Sequence, residues 1–266
     1  MTFFNRPDTL KKQIIMKSFL KTLFVISFLL NMACSSDSNN NDNPNNLQNF
    51  TSSLCVNVTG PTAAYWDYAH GVPFPSTQIP TLANPGQQFI HSQYPALGFT
   101  MPQGYSGFED QAGLGVNMIR NDNQVVWRYV PNMVALTQIP IQDVVANEVN
   151  QLFAFYNFNG DFEVVCSQNR TQNLGTMVVN QSSRLLRFGN ITALLFVQTY
   201  MDPSLGSTIA SVSMSSGPTA EYDNLVMNVF LPIHWQLLYI DNGVRDSDLD
   251  GTPDTQDNFP FDPTKQ

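Results

Sequence analysis

From residue 49 to residue 240 the chain is rich in Phe, Tyr, Val, Asn, Thr and Ser and poor in charge. β-branched and aromatic residues fit the half-buried surface of a pleated sheet, whereas a helical bundle would need Ala, Leu, Glu and Lys. That bias predicts strands and turns, and the length suits one domain around one core. Expected strands are Leu114–Ile119, Gln124–Val130, Phe162–Ser167, Gly175–Asn180, Ser183–Phe188, Thr192–Tyr200, Thr208–Met214 and Leu225–Leu231. Arg120-Asn-Asp-Asn123 reads as one hairpin turn, and Met201-Asp-Pro-Ser-Leu-Gly206 as a second.

One helix interrupts the strands. Ile141, Val144, Val145, Val149, Leu152, Phe153 and Tyr156 recur at the 3.6-residue period, with Gln142, Asn147 and Asn150 opposite. Pro140 precedes it where a first-turn proline is tolerated, and Asn159-Gly160 supplies a stop. The fold class expected is therefore α+β: a mostly antiparallel β-sheet with one main amphipathic helix, plus an acidic C-terminal tail. The order of strands, helix and strands is similar to that of PsbP-like domains, and no function is carried over from that order.

Two stretches of the domain stand apart. Ala69–Gly107 is broken by Pro73, Pro75, Pro80, Pro85, Pro95 and Pro102. Proline gives no ladder donor, so this reads as a long loop or edge region. It carries His70, His91, Tyr94 and Tyr105, the residues expected to line any binding surface; the alternative is a cover over a sheet. Gly60-Pro-Thr-Ala-Ala-Tyr65 recurs as Gly217-Pro-Thr-Ala-Glu-Tyr222, which reads as two equivalent turns or as coincidence.

Read from Met16, the N-terminus carries Lys17 and Lys21, the apolar run Leu23–Leu30, then Ala33 and Cys34. The run is well short of the roughly 20 residues that span a bilayer. It resembles the signal peptide and lipobox of bacterial lipoproteins, although Asn31 stands where that family prefers an aliphatic residue. The resemblance implies cleavage before Cys34, a diacylglycerol on its thiol, and membrane attachment through that lipid. Residues 34–48 are Asn- and Ser-rich with nothing to bury, and are expected to form a disordered tether. Asp37 and Asp42, close behind the cysteine, resemble the surface-export signal of Bacteroidetes lipoproteins. The expected location is the cell envelope, anchored to the outer membrane and surface-exposed.

In that oxidising setting the two remaining cysteines, Cys55 and Cys166, form an even pair. A disulfide is expected; the alternative is two buried thiols. Removing residues 1–33 takes five of the 12 basic residues and one of the 21 acids, leaving a net charge of −13. So acidic a chain has no footprint for nucleic acid.

Seven acids fall between Asp241 and Asp262. Calcium takes six to eight oxygens, which a 12-residue loop offers from positions 1, 3, 5, 7, 9 and 12 with Gly at 6. Asp246, Asp248, Asp250, Thr252 (through its carbonyl), Asp254 and Asp257 stand at those positions, and Gly251 at the sixth. The stretch, closed by Asp257-Asn258-Phe259-Pro260, resembles a thrombospondin type 3 repeat, which implies Ca2+ as the bound ion. Phe259 stands where that family often has Cys.

The domains expected are a signal peptide at 1–33, a tether at 34–48, a globular α+β domain at 49–240 and a calcium-binding tail at 241–266. No GxSxG, HExxH, P-loop or GxGxxG occurs. The leading expectation is a binding or adhesion domain for a glycan or an envelope protein. The alternatives are a hydrolase using the His70/His91 loop, in which Asp67 pairs with His70, and a purely structural envelope component.

Overall fold

The computed structural model describes residues 47–75, 81–93, 98–110, 115–135, 137–174, 177–202, 206–238, 240–241, 244–245, 252, 257–259 and 264–265. Cys34 and the tether to Asn46 lie outside this set, as do Tyr94, Asp246, Asp248, Asp250, Gly251 and Asp254.

The core of the fold is a seven-stranded antiparallel sheet in the order β3-β4-β5-β9-β8-β7-β6. Its strands are β3 (Tyr105–Glu109), β4 (Val116–Arg120), β5 (Val126–Ala135), β6 (Phe162–Leu174), β7 (Met177–Phe188), β8 (Ile191–Asp202) and β9 (Ser207–Pro218). It is two meanders joined edge to edge. β3–β4–β5 form the first and β6–β7–β8–β9 the second, and β9 closes against β5. The predominantly antiparallel α+β class read from composition is the one observed.

Side chains alternate across the strands, so each strand serves two faces. One face presents Val126, Val130, Leu186, Leu195, Val197, Val212 and Met214, and helix α2 (Ile141–Phe155) covers it. The apolar stripe expected for that helix is its packing face: Val144, Val145 and Leu152 are buried and Ile141, Val149, Phe153 and Tyr156 are partly so. The helix ends at Phe155, four residues before the expected Asn159-Gly160. Asn157 takes φ +50°, the Asn157 N–H reaches the Ala154 carbonyl at 3.1 Å, and the Phe158 N–H reaches Phe153 at 2.8 Å. Phe158 then packs on Phe153, ring centroids 5.3 Å apart, completing a Schellman stop with Asn in the left-handed position.

The second face, around Trp127, Leu185 and Leu194, is covered by helices that the strand-rich composition hid. Helix α1 (Gly60–Ala69) begins with Pro61 in its first turn. Seven of its ten residues are buried, so it shows no one-sided period to read. Residues 225–231, expected as a strand, are instead helical: α3 (Tyr222–Leu225), a π-helical turn (Val226–Phe230) and α4 (Leu231–Leu238) run in succession. A short run of Val, Met, Phe and Leu has no period that separates a buried helix from a strand, and here the helix is the outcome. The widened turn lies just before Pro232, which has no N–H to give an α-helical bond. The pair Gly175–Asn180 and Ser183–Phe188 is also corrected, since residues 177–188 form one unbroken strand.

Within the proline-rich stretch, β1 (Pro85–Phe89) and β2 (Phe99–Pro102) form a small hairpin. Its prolines sit at the strand ends, where no ladder donor is needed. Gln236 from α4 holds the hairpin down: its side-chain oxygen accepts from Thr100 N–H at 2.7 Å and its amide donates to Thr100 C=O at 3.2 Å. A fully buried glutamine thus supplies both backbone partners that a further strand would have given.

The two Gly-Pro-Thr-Ala segments adopt different structures, one opening α1 and the other ending β9. They nevertheless meet. Thr59 gives α1 no side-chain cap, and Asp223 takes that role from the far end of the chain, accepting from Thr62 N–H at 2.9 Å and Thr62 Oγ at 2.6 Å.

Candidate functional site

His70 follows the last residue of α1, and its ring is fixed on three sides. It lies against Trp66 with centroids 4.3 Å apart and meets Phe196 of β8 edge-on at 6.0 Å. Nδ1 is 2.6 Å from the Trp66 carbonyl, and Nε2 is 2.5 Å from Ser183 Oγ. Ser183 points to this face because it is two residues from Leu185 on β7, which packs on α1's side of the sheet. A cavity opens beside the pair with about 20 Å³ of water-accessible space, room for a single water. Ala69, His70, Gln168, Arg170, Gln181 and Ser183 line it. Burial pushes the His70 pKa below its ordinary value, against the opposing pull of the Trp66 carbonyl and the Asp67 charge.

Asp67 does not serve His70. Its buried carboxylate accepts from Ser52 Oγ at 2.5 Å, from Ser53 N–H at 2.7 Å and from Ser53 Oγ at 2.8 Å, which anchors the loop that enters α1. The acid–base pair weighed from the sequence is therefore not formed by these two residues.

His91 lies elsewhere. It is fully buried beyond β1, where Nδ1 accepts from Gln93 N–H at 3.2 Å and stands 3.9 Å from Glu109 on β3. Glu109 accepts from Ser92 N–H at 2.5 Å and Ser92 Oγ at 2.7 Å, and these bonds hold its carboxyl below the usual range. Tyr105 also sits on β3, its hydroxyl pushed up to about 12 by burial, with Arg120 opposing. β3 and β7 are five strand spacings apart, on the order of 24 Å. The histidine-bearing segment therefore reaches towards both edges of the sheet, and His70 and His91 do not form one site.

Cys55 and Cys166 come together. Their Cα atoms are 6.2 Å apart, a separation that a disulfide spans, and Cys166 faces α1 from β6. In the tail, Thr252 and Asp257 are the described members of the expected calcium loop. Asp257 turns Oδ1 onto Phe259 N–H at 2.7 Å, and its Oδ2 is buried with no hydrogen-bond partner among the described residues.

A charged cluster that the sequence did not suggest lies under α2. Arg128 of β5 donates from Nε to Glu148 at 3.0 Å, and from Nη1 to Asn117 at 3.2 Å and Asp110 at 3.3 Å. Its signal was in the helix pattern: Glu148 lies four residues from both Val144 and Leu152, in the middle of the buried stripe.

His234, on α4, faces Tyr68 edge-on at 5.9 Å, and burial pushes its pKa down to about 4. The unfolded chain binds that proton near pH 6.5 and the folded one only near pH 4. Stability present above about pH 6.5 is thus lost as pH falls towards 4, and His70 acts in the same direction. Thermal melts across that window are expected to fall steeply for the native chain. His234→Gln should flatten the profile, and an unchanged slope would show that other groups, His70 and the carboxylates, set it.

No family model matches the chain, and no curated protein matches it by sequence. Among solved structures it is similar to the cyanobacterial PsbP protein, CyanoP, of Synechocystis, at 12% identity over 56% of this chain and 87% of that one, with a TM-score of 0.30. It is similar also to the Ran-binding protein Mog1p of Saccharomyces cerevisiae, at 13% identity over 58% of this chain and 90% of that one, with a TM-score of 0.28. At such scores these likenesses carry no argument about fold or function.

Proposed function

We propose that this is a lipid-anchored protein of the bacterial cell envelope that binds calcium through Asp246, Asp248, Asp250, Thr252, Asp254 and Asp257. The observation that carries the calcium reading is the register of five aspartates and one glycine at the loop positions. Asp257 Oδ2 supports it, because a carboxylate oxygen shut away from water without a donor is costly and a cation relieves the cost. Cys34 behind its apolar run supports the anchor. The sheet domain then serves binding or adhesion, to a glycan or another envelope protein, on the end of an Asn-rich tether.

Calcium titration calorimetry on the mature chain, with thermal melts, tests the first part. Binding is expected at a Kd of about 10⁻⁴–10⁻³ M, as in extracellular modules, and is expected to vanish in Asp248→Ala/Asp250→Ala. At ten times Kd a ligand of the folded state stabilises by about 1.4 kcal/mol, so a docked tail raises the melting temperature of the whole domain. Absence of heat at millimolar calcium would remove the assignment.

A further inference from the structure

β6 pairs with β7 along one edge, and no described strand pairs with the other. Its outward N–H and C=O groups are open along a strand of 13 residues that has neither Pro nor Lys to blunt it. Five of the ten exposed large hydrophobics among the described residues lie on this strand or beside it. Phe162, Val164 and Leu174 are on β6, and Leu54 and Val56 flank Cys55, which lies against Cys166. Phe162 and Val164 are each 47% exposed. β6 and β7 together carry Arg170, Arg184 and Arg187 against Glu163, a surplus of cations in a chain of formal net charge −9. Two copies of an acidic chain repel each other least at such a place. We propose that β6 is the pairing edge for a second copy of this chain, which adds antiparallel about a two-fold axis at Ser167.

The bulge in β6 sets that register. Glu163 stands opposite Arg187 of β7, and Arg170 opposite Gln181. β7 runs without a bulge against β8, so its residues 181 and 187, six apart, share a face. Glu163 and Arg170 therefore share that face as well. In a regular strand, residues seven apart point opposite ways; here Val165 has no partner on β7, and this extra residue brings the two charges round to one side. A two-fold axis perpendicular to the sheet pairs only residues of the same face. With the axis at Ser167 and Val165 left out of the ladder in both copies, Cys166 meets Gln168 of the second copy, Val164 meets Asn169, Glu163 meets Arg170 and Phe162 meets Thr171. Every one of these is a same-face pair in the observed register with β7. The Glu163–Arg170 pair forms twice by symmetry, and neither residue has an ion pair among the described residues. Other registers lose this match. An axis at Gln168 sets Glu163 opposite Gln172, and an axis at Arg170 sets two guanidiniums against each other. Main-chain hydrogen bonds supply the attraction, and the charges select the register and the partner.

This inference does not rest on the lipid or calcium reading. Sedimentation equilibrium tests it on the full mature chain with Cys34→Ser, which removes a thiol that could join two copies, and with a calcium chelator present. The mass is expected to double as protein concentration rises. Glu163→Arg and Arg170→Glu, each of which sets like charges opposite one another twice, should weaken the dimer by about tenfold or more. The double change Glu163→Arg/Arg170→Glu restores opposite charges and should bring the dimer back to within about threefold of the native affinity. A chain that stays monomeric up to about 0.5 mM would overturn the proposal and leave the strand to a different partner. So would self-association that neither single change weakens, or a charge swap that dimerises no better than the single variants. The first of these results is read with β6 intact, so a misfolded variant does not shield the idea.

Discussion

Glu148→Ala is expected to destabilise the domain by about 3–5 kcal/mol, the usual consequence of removing one partner from a buried ion pair. Glu148 is wholly buried and Arg128 only 8% exposed, so the guanidinium cannot turn to water when its closest partner goes. It keeps Asp110 and Asn117, but both bonds are longer than the one to Glu148. The pair need not be a large net gain over an apolar contact. Replacing both ends, as Arg128→Met/Glu148→Leu, should therefore lose much less than the sum of the two single changes. Urea unfolding at pH 7 of the native chain, Glu148→Ala, the two single changes Arg128→Met and Glu148→Leu, and their double variant measures this. A cost below about 1 kcal/mol for Glu148→Ala is what an exposed pair shows, and would mean that water reaches the cluster.

Cys55→Ser/Cys166→Ser is expected to cost about 4–5 kcal/mol. The two cysteines are 111 residues apart, and chain-entropy reasoning puts the constraint from a loop of about that length near 4.7 kcal/mol. The cross-link would tie the loop before α1 to β6, an edge strand paired on one side only by β7. Within that loop, Ser52 Oγ accepts from Cys55 N–H at 2.8 Å and its own proton goes to Asp67, so the loop has its own bonds without the cross-link. Non-reducing peptide mapping should recover Cys55 and Cys166 as one linked pair, and reduction should lower the melting temperature to that of the double variant. Two free thiols in the mature protein would instead leave these residues as buried contacts.

Elements with a one-sided pattern were legible in the sequence. α2 showed its stripe because one face packs on the sheet and the other meets water, and the β4–β5 and β8–β9 hairpins showed their turn residues. α1 and α4 were not legible as helices. They are buried nearly all round, so neither helical nor alternating periodicity marks them. The site divides in the same way. The register behind the proposed calcium loop could be read because its aspartates lie within one short stretch of sequence. The contact between His70 and Ser183 could not, because it joins a helix end to a strand 113 residues later. The cluster of Arg128, Glu148 and Asp110 likewise depends on which strands become neighbours, and composition does not encode that.

The cap on α1 comes from Asp223, 161 residues after Thr62. A ribosome or an export channel delivers the chain from its first residue, so α1 emerges long before the group that completes it. β5 also waits, since its second neighbour is β9. Order of synthesis and order of closure therefore run against each other. Contacts of such long sequence separation slow folding and concentrate it in one late event. Until residues 222–238 arrive, Trp127, Leu185 and Leu194 have only part of their cover, from α1 and the β1–β2 hairpin. Until then the chain is incompletely folded, and it needs protection from self-association for as long as that state lasts.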